Sequence, residues 1–313
     1  MVGVAQLVEP RVVISAVVGS SPIVHPIFRA ARRLARVFAL VVLAGCASSQ
    51  AQLFVAGDST ASSYEPNPKN QQGWGAVLQP YFDEEQLTVV DVARGGRSSR
   101  TFITEGHWGR MLGAVRAGDF VIIQFGHNDA GALNQEPPGS TRPLRARGTI
   151  PGIGNESEEI DNVITGKHET VYSFGWYLRK MIGEVRAKGA TPLLVTLTKT
   201  NIWKDGRIPC PFESYREWTW QTARDANVAF LDLTRIIADR YQREGTDAVK
   251  AQFIDDTVHT NLAGAQANAT DVVSGLRAMK GLPLQKMLSK SGRAVPRDRG
   301  PRATSVCVAL PPP

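Results

Sequence analysis

Cysteine is scarce in this 313-residue chain, with only Cys46, Cys210 and Cys307 present. No apolar run is long enough to cross a bilayer; the one near the N-terminus, residues 37–43, covers about a third of the roughly 20 residues a span needs. Aromatic residues make up 7% of the chain, and the Gly-x-Ser-x-Gly elbow of the α/β-hydrolases is missing. A basic stripe is also lacking. The formal charge is +7, but ten of the 36 basic residues and only two of the 29 acids lie in residues 1–46 and 289–313. The body between them is close to neutral, so no nucleic-acid footprint remains. What the chain does have is 42% hydrophobic and 21% charged residues, the composition of one ordinary globular domain rather than a disordered or collagenous chain.

The ends carry separate signals. Arg29, Arg32, Arg33 and Arg36 precede the apolar run and small residues follow it, the charge-then-apolar order of a secretory signal. The run ends Leu43-Ala44-Gly45-Cys46, which resembles the lipobox of bacterial lipoproteins and makes Cys46 the expected lipid anchor. Ordinary cleavage after Ala51 is the alternative. Residues 1–27 fit no signal layout and read as a start-site error; 28–51 are the signal region, 52–288 the globular body and 289–313 a disordered basic, proline-rich tail. With Cys46 lipidated, Cys210 and Cys307 are left as one pair for a disulfide in an oxidising compartment, an unpaired Cys210 being the other reading.

Along the body, short β-rich runs at 53–56, 87–92, 120–125, 191–197 and 228–233 alternate with helical spacing at 74–82, 107–116, 172–188, 215–226 and 262–279. This alternation predicts βαβ units and a parallel sheet covered on both faces, a three-layer α/β/α domain. The long connection 130–167 follows a strand, so it belongs at the sheet's carboxyl edge, where ligands bind in such folds. His168-Glu169 lacks the second histidine of a zinc protease, Gly166-Lys167 lacks the rest of a P-loop, and Arg94-Gly95-Gly96-Arg97 completes no dinucleotide fingerprint. Asn155-Glu156-Ser157 and Asn268-Ala269-Thr270 match the glycosylation pattern, which carries no information beside a bacterial-type signal.

Gly57-Asp58-Ser59-Thr60 stands directly after the first predicted strand, with small residues that permit a tight turn around a nucleophile; alone it reads more readily as a helix cap. Three further segments fall on the same sheet edge: 91–98 after the second strand, 125–129 after the third, and Asp256-Thr257-Val258-His259 before the last helix. Together they supply what acyl transfer needs: a serine, a base, a carboxylate to orient the base, and donors for an oxyanion.

The strings VAGDSTAS, NQQGWGAVL, ARGGRSSRTF, FGHNDAG and DDTVHTNLAGA, in that order between Leu53 and Met279, resemble the SGNH (GDSL-like) hydrolases and within them the rhamnogalacturonan acetylesterase-like branch. The resemblance implies a flavodoxin-like five-stranded parallel sheet, Ser59 as nucleophile, and His259 as base oriented by Asp256. It also implies an oxyanion hole from the Ser59 and Gly96 N–H groups and the Asn128 amide, with no metal or cofactor. Glu136, Arg142, Arg145, Arg147, Lys167 and the stretch 172–179 are expected on the sugar-binding side. The family's usual Asp-x-Thr-His is here Asp256-Thr257-Val258-His259, and Thr198-Lys199-Thr200-Asn201 departs from a proline-containing pattern, which bears on substrate detail.

Other candidates have plainer roles. Asp255 reads as a solvated acid and Asp129 as a cap of the turn after Asn128. His107, His127 and His168 read as packed or hydrogen-bonded, and Trp74, Trp108 and Trp203 as buried more readily than stacked on sugar. The implied activity is deacetylation of a plant cell-wall polysaccharide or oligosaccharide by an exported esterase. The alternatives are a lipase or thioesterase of the same superfamily, which would need an apolar acyl groove that the polar long loop does not suggest, and an inert polysaccharide-binding protein.

Overall fold

The computed structural model describes residues 50–210 and 214–311, so the readings for the signal region before Gln50 and for Cys46 lie outside the described residues. The strands are β1 (Ala51–Gly57), β2 (Leu87–Asp91), β3 (Phe120–Gln124), β4 (Ser157–Asp161), β5 (His168–Tyr172), β6 (Thr191–Val195) and β7 (Ala229–Leu231). Five of them form one sheet in the order β2-β1-β3-β6-β7, every neighbouring pair parallel. The helices are α1 (Ser99–Thr104), α2 (His107–Ala114), α3 (Phe174–Ala187), α4 (Tyr215–Asp225), α5 (Leu233–Glu244), α6 (Thr246–Lys250), α7 (Leu262–Ala278) and α8 (Lys290–Ala294).

Strand periodicity splits the core into two. Leu53, Val55, Ile122, Leu193 and Val195 face one way and pack with Leu233, Ile237, Val272 and Leu276 of α5 and α7. Their alternates Phe54, Ala56, Val121, Ile123 and Leu194 face the other way, onto Trp108 and Met111 of α2 and Phe174, Leu178, Met181 and Val185 of α3. Side chains alternate across a strand, so one run of buried residues serves both layers and gives the α/β/α architecture. Among the described residues no helix is long and apolar enough to cross a membrane.

Three expectations need correction. The stretch 74–82 is two 3-10 turns, Gly75–Val77 and Gln79–Tyr81, not an α-helix. Pro80 within it has no N–H to continue an α-helical ladder. The connection 130–167 is not wholly irregular, because β4 pairs antiparallel with β5. The polar, mostly exposed run Ser157–Asp161 gave no apolar alternation to announce a strand.

The segment after Leu288, read as a disordered tail, is ordered through residue 311. Ser289 caps α8 by accepting from the Gly292 N–H, and Val295 is buried. Asp298 pairs with Arg235, and the Val306 N–H donates to Asp239 at 3.0 Å. Cys307 is bonded to Cys210, their Cα atoms 4.5 Å apart. A low apolar content leaves little surface to bury, but an ion pair, hydrogen bonds and a covalent link hold this strap instead.

Candidate active site

β1 lies between β2 and β3 and is followed in sequence first by one and then by the other. The crevice at the carboxyl ends of these strands is therefore a topological switch point, where ligands bind in open α/β sheets. After Gly57 the chain turns sharply. The buried Asp58 accepts from the Thr60 N–H at 2.9 Å and the Thr60 hydroxyl at 2.8 Å, while its main-chain oxygen takes the Ala61 and Ser62 N–H groups. Ser59 is held at the apex, and its carbonyl accepts from the Tyr64 hydroxyl at 2.8 Å. The 73–75 segment runs against this turn, with Gly73, Trp74 and Gly75 donating to the carbonyls of Ser62, Thr60 and Ala61. A Cβ on Gly73 would sit 2.2 Å from the Ala61 backbone, so glycine is required there. That contact gives the Gly-Trp-Gly string a physical role as the buttress of the serine turn.

The loop before α7 carries the other two residues. Phe253 and Thr260 form a bridge, and the Ile254 N–H donates to the His259 carbonyl at 3.0 Å. Asp256 Oδ1 accepts from the N–H groups of Val258 at 2.8 Å and His259 at 2.7 Å; Oδ2 lies 2.5 Å from His259 Nδ1. On the opposite side of the ring, Nε2 is 2.9 Å from Ser59 Oγ. Partial burial would push the Asp256 carboxyl up, but hydrogen bonds from the His259 ring and from the two N–H groups outweigh it and hold the group below the usual carboxylate range. Asp256 thus stays ionised beside the imidazole. Asp255 is exposed.

Asn128 follows β3 and is nearly buried, its Nδ2 donating to the Arg97 carbonyl at 2.9 Å. Gly96 follows β2 with φ +79°, a left-handed conformation in which glycine is unstrained. Ser59, Gly96, Asn128 and His259 line one cleft of about 480 Å³ with His127, Glu136, Arg142, Arg145 and Arg147. Arg142 and Arg145 are exposed. Arg147 is half-buried and donates to the Gly96 carbonyl at 3.0 Å; desolvation, reinforced by the charge of Arg145, pushes its guanidinium down from the ordinary value. Three arginines and one carboxylate, Glu136, thus line the cleft of a protein whose body is nearly neutral.

Other candidates lie elsewhere. Lys167 sits at the β4–β5 turn, where its N–H reaches Thr165 Oγ1 at 3.3 Å, outside the cleft lining. The 172–179 stretch is also not part of that lining: Tyr172 stacks on Trp176 with ring centres 3.8 Å apart, and Arg179 donates to the Gly154 carbonyl at 2.7 Å. Asp129 does not cap its own turn. It reaches across to the start of α1, accepting from the Ser99 N–H at 3.1 Å and hydroxyl at 2.5 Å, and burial raises its carboxyl to about 7. His127 lines the cleft with Nε2 3.1 Å from Thr198 Oγ1, and desolvation pushes its imidazole down. His107 pairs with Glu105 and His168 with Asp161 and Glu159. Trp74 and Trp108 are buried, while Trp203 is half-buried and donates to Asn201 at 2.8 Å. Glu136, Arg142, Arg145 and Arg147, expected on the sugar-binding side, do line the cleft, three arginines within six residues of one long loop.

Serine, imidazole and carboxylate in series at the carboxyl edge of a parallel sheet form the arrangement of an α/β serine hydrolase. The profile of the GDSL-like Lipase/Acylhydrolase family matches residues 55–267, and the chain belongs to that family. It is 31% identical over 257 residues to a rhamnogalacturonan acetylesterase of Emericella nidulans, covering 81% of this chain and 96% of that one. It is 30% identical over 243 residues to the probable rhamnogalacturonan acetylesterase YesY of Bacillus subtilis, covering 76% and 97% respectively. Among solved structures, YxiM of Bacillus subtilis superimposes with a TM-score of 0.59 at 25% identity over 75% of this chain; the chain spans 58% of that protein. The protein is a carboxylic ester hydrolase.

Proposed function

We propose that the protein removes O-acetyl groups from an acidic plant cell-wall polysaccharide, rhamnogalacturonan, through an acetyl-enzyme. The observation that carries this reading is the unbroken chain from Ser59 Oγ through His259 to Asp256 at 2.9 and 2.5 Å, opening on a cleft walled by arginines. Ser59 Oγ attacks the acetyl carbonyl carbon while His259 Nε2 takes the hydroxyl proton. The carbonyl electron pair moves onto oxygen, where the Ser59 and Gly96 N–H groups and the Asn128 amide hold it. Collapse breaks the bond to the sugar oxygen, which leaves with the proton from His259. Water, deprotonated by His259, then attacks the acetyl-serine; acetate leaves and Ser59 regains its proton. Asp256 keeps Nδ1 protonated, so that Nε2 is the basic nitrogen.

The relatives' names support acetyl ester as the bond and rhamnogalacturonan as the polymer. Arg142, Arg145 and Arg147 support an anionic chain over an apolar acyl group, since guanidinium groups match carboxylates in charge and geometry. Acetate release by the purified chain from acetylated pectin, acetylated xylan and short- and long-chain nitrophenyl esters tests this. Fastest turnover of the long-chain esters would refute the polysaccharide reading.

Export belongs to the same proposal, with Cys46 as the lipidated residue. The Cys210–Cys307 disulfide supports an oxidising compartment. Ala51 is the first residue of β1 and pairs with Leu87, so cleavage after it would trim the sheet, whereas processing at Cys46 would leave the strand whole. Mass spectrometry of the mature N-terminus decides between them; an unmodified start at Gln52 would overturn lipidation.

A further inference from the structure

The Gly96 N–H belongs to the same peptide group as the Gly95 carbonyl, and that carbonyl accepts from Arg97 Nη1 at 2.9 Å. We propose that Arg97 is a positioning residue which polarises and fixes this peptide so that the Gly96 N–H is a strong, correctly aimed oxyanion donor. The inference rests on the reading of Ser59, Gly96 and Asn128 as the oxyanion hole.

Two successive glycines leave this peptide without a side chain to clamp it, and Gly96 adopts φ +79°, so its direction has to come from hydrogen bonds. Arg97 holds the carbonyl before it, and Arg147 Nη1 holds the carbonyl after it at 3.0 Å. A charged donor on a peptide carbonyl makes a stronger bond than a neutral one, and hydrogen bonds in series polarise one another, so the N–H of that peptide gains positive character. The same residue ties in the second donor. The Arg97 main-chain oxygen accepts one amide hydrogen of Asn128 at 2.9 Å, which leaves the other for the cleft that Asn128 lines. At Ser59 two neutral groups play the equivalent part: the Asp58 carbonyl of its peptide takes the Ala61 and Ser62 N–H groups at 3.3 and 3.2 Å.

The guanidinium of Arg97 is also held by Glu105, with Nε 2.8 Å from Oε2, and the two side chains are 41% and 39% exposed. An ion pair this open contributes little to folding. Substitution at Arg97 should therefore leave stability intact, which separates a role in polarisation from a structural one.

The test uses Arg97→Met and Arg97→Lys in the full chain beside Asn128→Ala, with nitrophenyl acetate as substrate and a phenylboronic acid as probe of the anionic adduct on Ser59. Arg97→Met should lower kcat about tenfold, short of the hundred- to thousandfold for deleting a donor outright. KM should stay within about twofold and boronate affinity should fall by the same factor as kcat, since only the anionic state feels the polarisation. Arg97→Lys, which keeps a charged donor, should recover part of the loss, with an unchanged melting midpoint in both variants. Normal kcat in Arg97→Met beside a large loss in Asn128→Ala would overturn this inference and leave the site reading standing. Normal kcat in both would overturn the oxyanion hole itself. A rise in KM alone, or a fall in the melting midpoint with kcat, would assign Arg97 to substrate contact or to structure and also overturn it.

Discussion

Asp255 and Asp256 are adjacent carboxylates of identical chemistry, and the site requires only one of them. Asp256 makes three hydrogen bonds, two through Oδ1 to the Val258 and His259 N–H groups and one through Oδ2 to His259 Nδ1. In Asp256→Asn the carbonyl oxygen can satisfy both N–H groups only by turning its NH2 toward Nδ1. Nδ1 must then accept, the imidazole proton moves to Nε2, and the nitrogen 2.9 Å from Ser59 Oγ can no longer take the serine proton. The geometry survives while the tautomer is wrong, a defect that costs about ten thousandfold in turnover in the general template, or roughly 5 kcal/mol of barrier. Asp255 is exposed, so Asp255→Asn should stay within about 0.5 kcal/mol of wild type in stability and about twofold in rate. Steady-state kinetics on nitrophenyl acetate at neutral pH, with circular dichroism melts to confirm folding, provide the comparison. If Asp255→Asn were the more damaging change, or if Asp256→Asn kept more than about a tenth of the wild-type kcat, the tautomer reasoning would be refuted.

As a proposed oxyanion donor, Asn128 should on replacement by alanine lower kcat by about a hundred- to a thousandfold with little change in KM, measured by the same assay, because such a donor acts on the charge that develops on the carbonyl oxygen. Arg142→Ala combined with Arg145→Ala should raise KM for acetylated pectin about tenfold or more while leaving nitrophenyl acetate turnover within about twofold; equal effects on both substrates would count against an anionic chain in the cleft. Cys307→Ser opens a bridge between residues 97 apart and should cost up to about 4–5 kcal/mol in urea unfolding. Burial raises the Asp129 carboxyl to about 7 from 3.8, so the folded chain binds more protons than the unfolded one between those values. Stability should therefore fall as pH rises from about 4 to about 7, and Asp129→Asn should flatten that fall; parallel urea midpoints across pH would show that Asp129 does not titrate in this range.

The buried parallel strands were legible because their side chains fill both faces, leaving short continuous apolar runs at β1, β3 and β6. β4 was not, since a hairpin strand exposed along most of its length needs no apolar pattern. α5 was not legible although Leu233, Ile236, Ile237 and Tyr241 recur at helical spacing, because it begins two residues after β7 and the apolar run 228–233 merges the strand with the first residue of the helix. The residues of the candidate site were legible because motif spacing fixes them locally: Asp256 and His259 share one loop, and Ser59 follows its strand at once. Lys167 was less legible for the converse reason. Its position depends on the turn of a hairpin, which places it outside the cleft lining, and composition is blind to that. The strap after Leu288 was misread because composition counts apolar area, whereas one disulfide and the Arg235–Asp298 pair fix that segment.

The strand order also explains why the three proposed oxyanion donors converge. β1 pairs with β2 through Val55 and Asp91 and with β3 through Gly57 and Gln124, so the turns bearing Ser59, Gly96 and Asn128 rise from three adjacent strands about 4.8 Å apart. A slip of one residue in either pairing would displace a donor by about 3.3 Å along the strand and turn its neighbours to the opposite face. That displacement exceeds the whole tolerance of a hydrogen bond, so the registers are as much a part of the site as the side chains. The alternation of Phe54 and Ala56 against Leu53 and Val55 enforces them, because a slip would carry Phe54 from the α2–α3 layer into the tightly filled layer of α5 and α7. Core packing thus sets the position of an N–H group that itself buries no apolar surface.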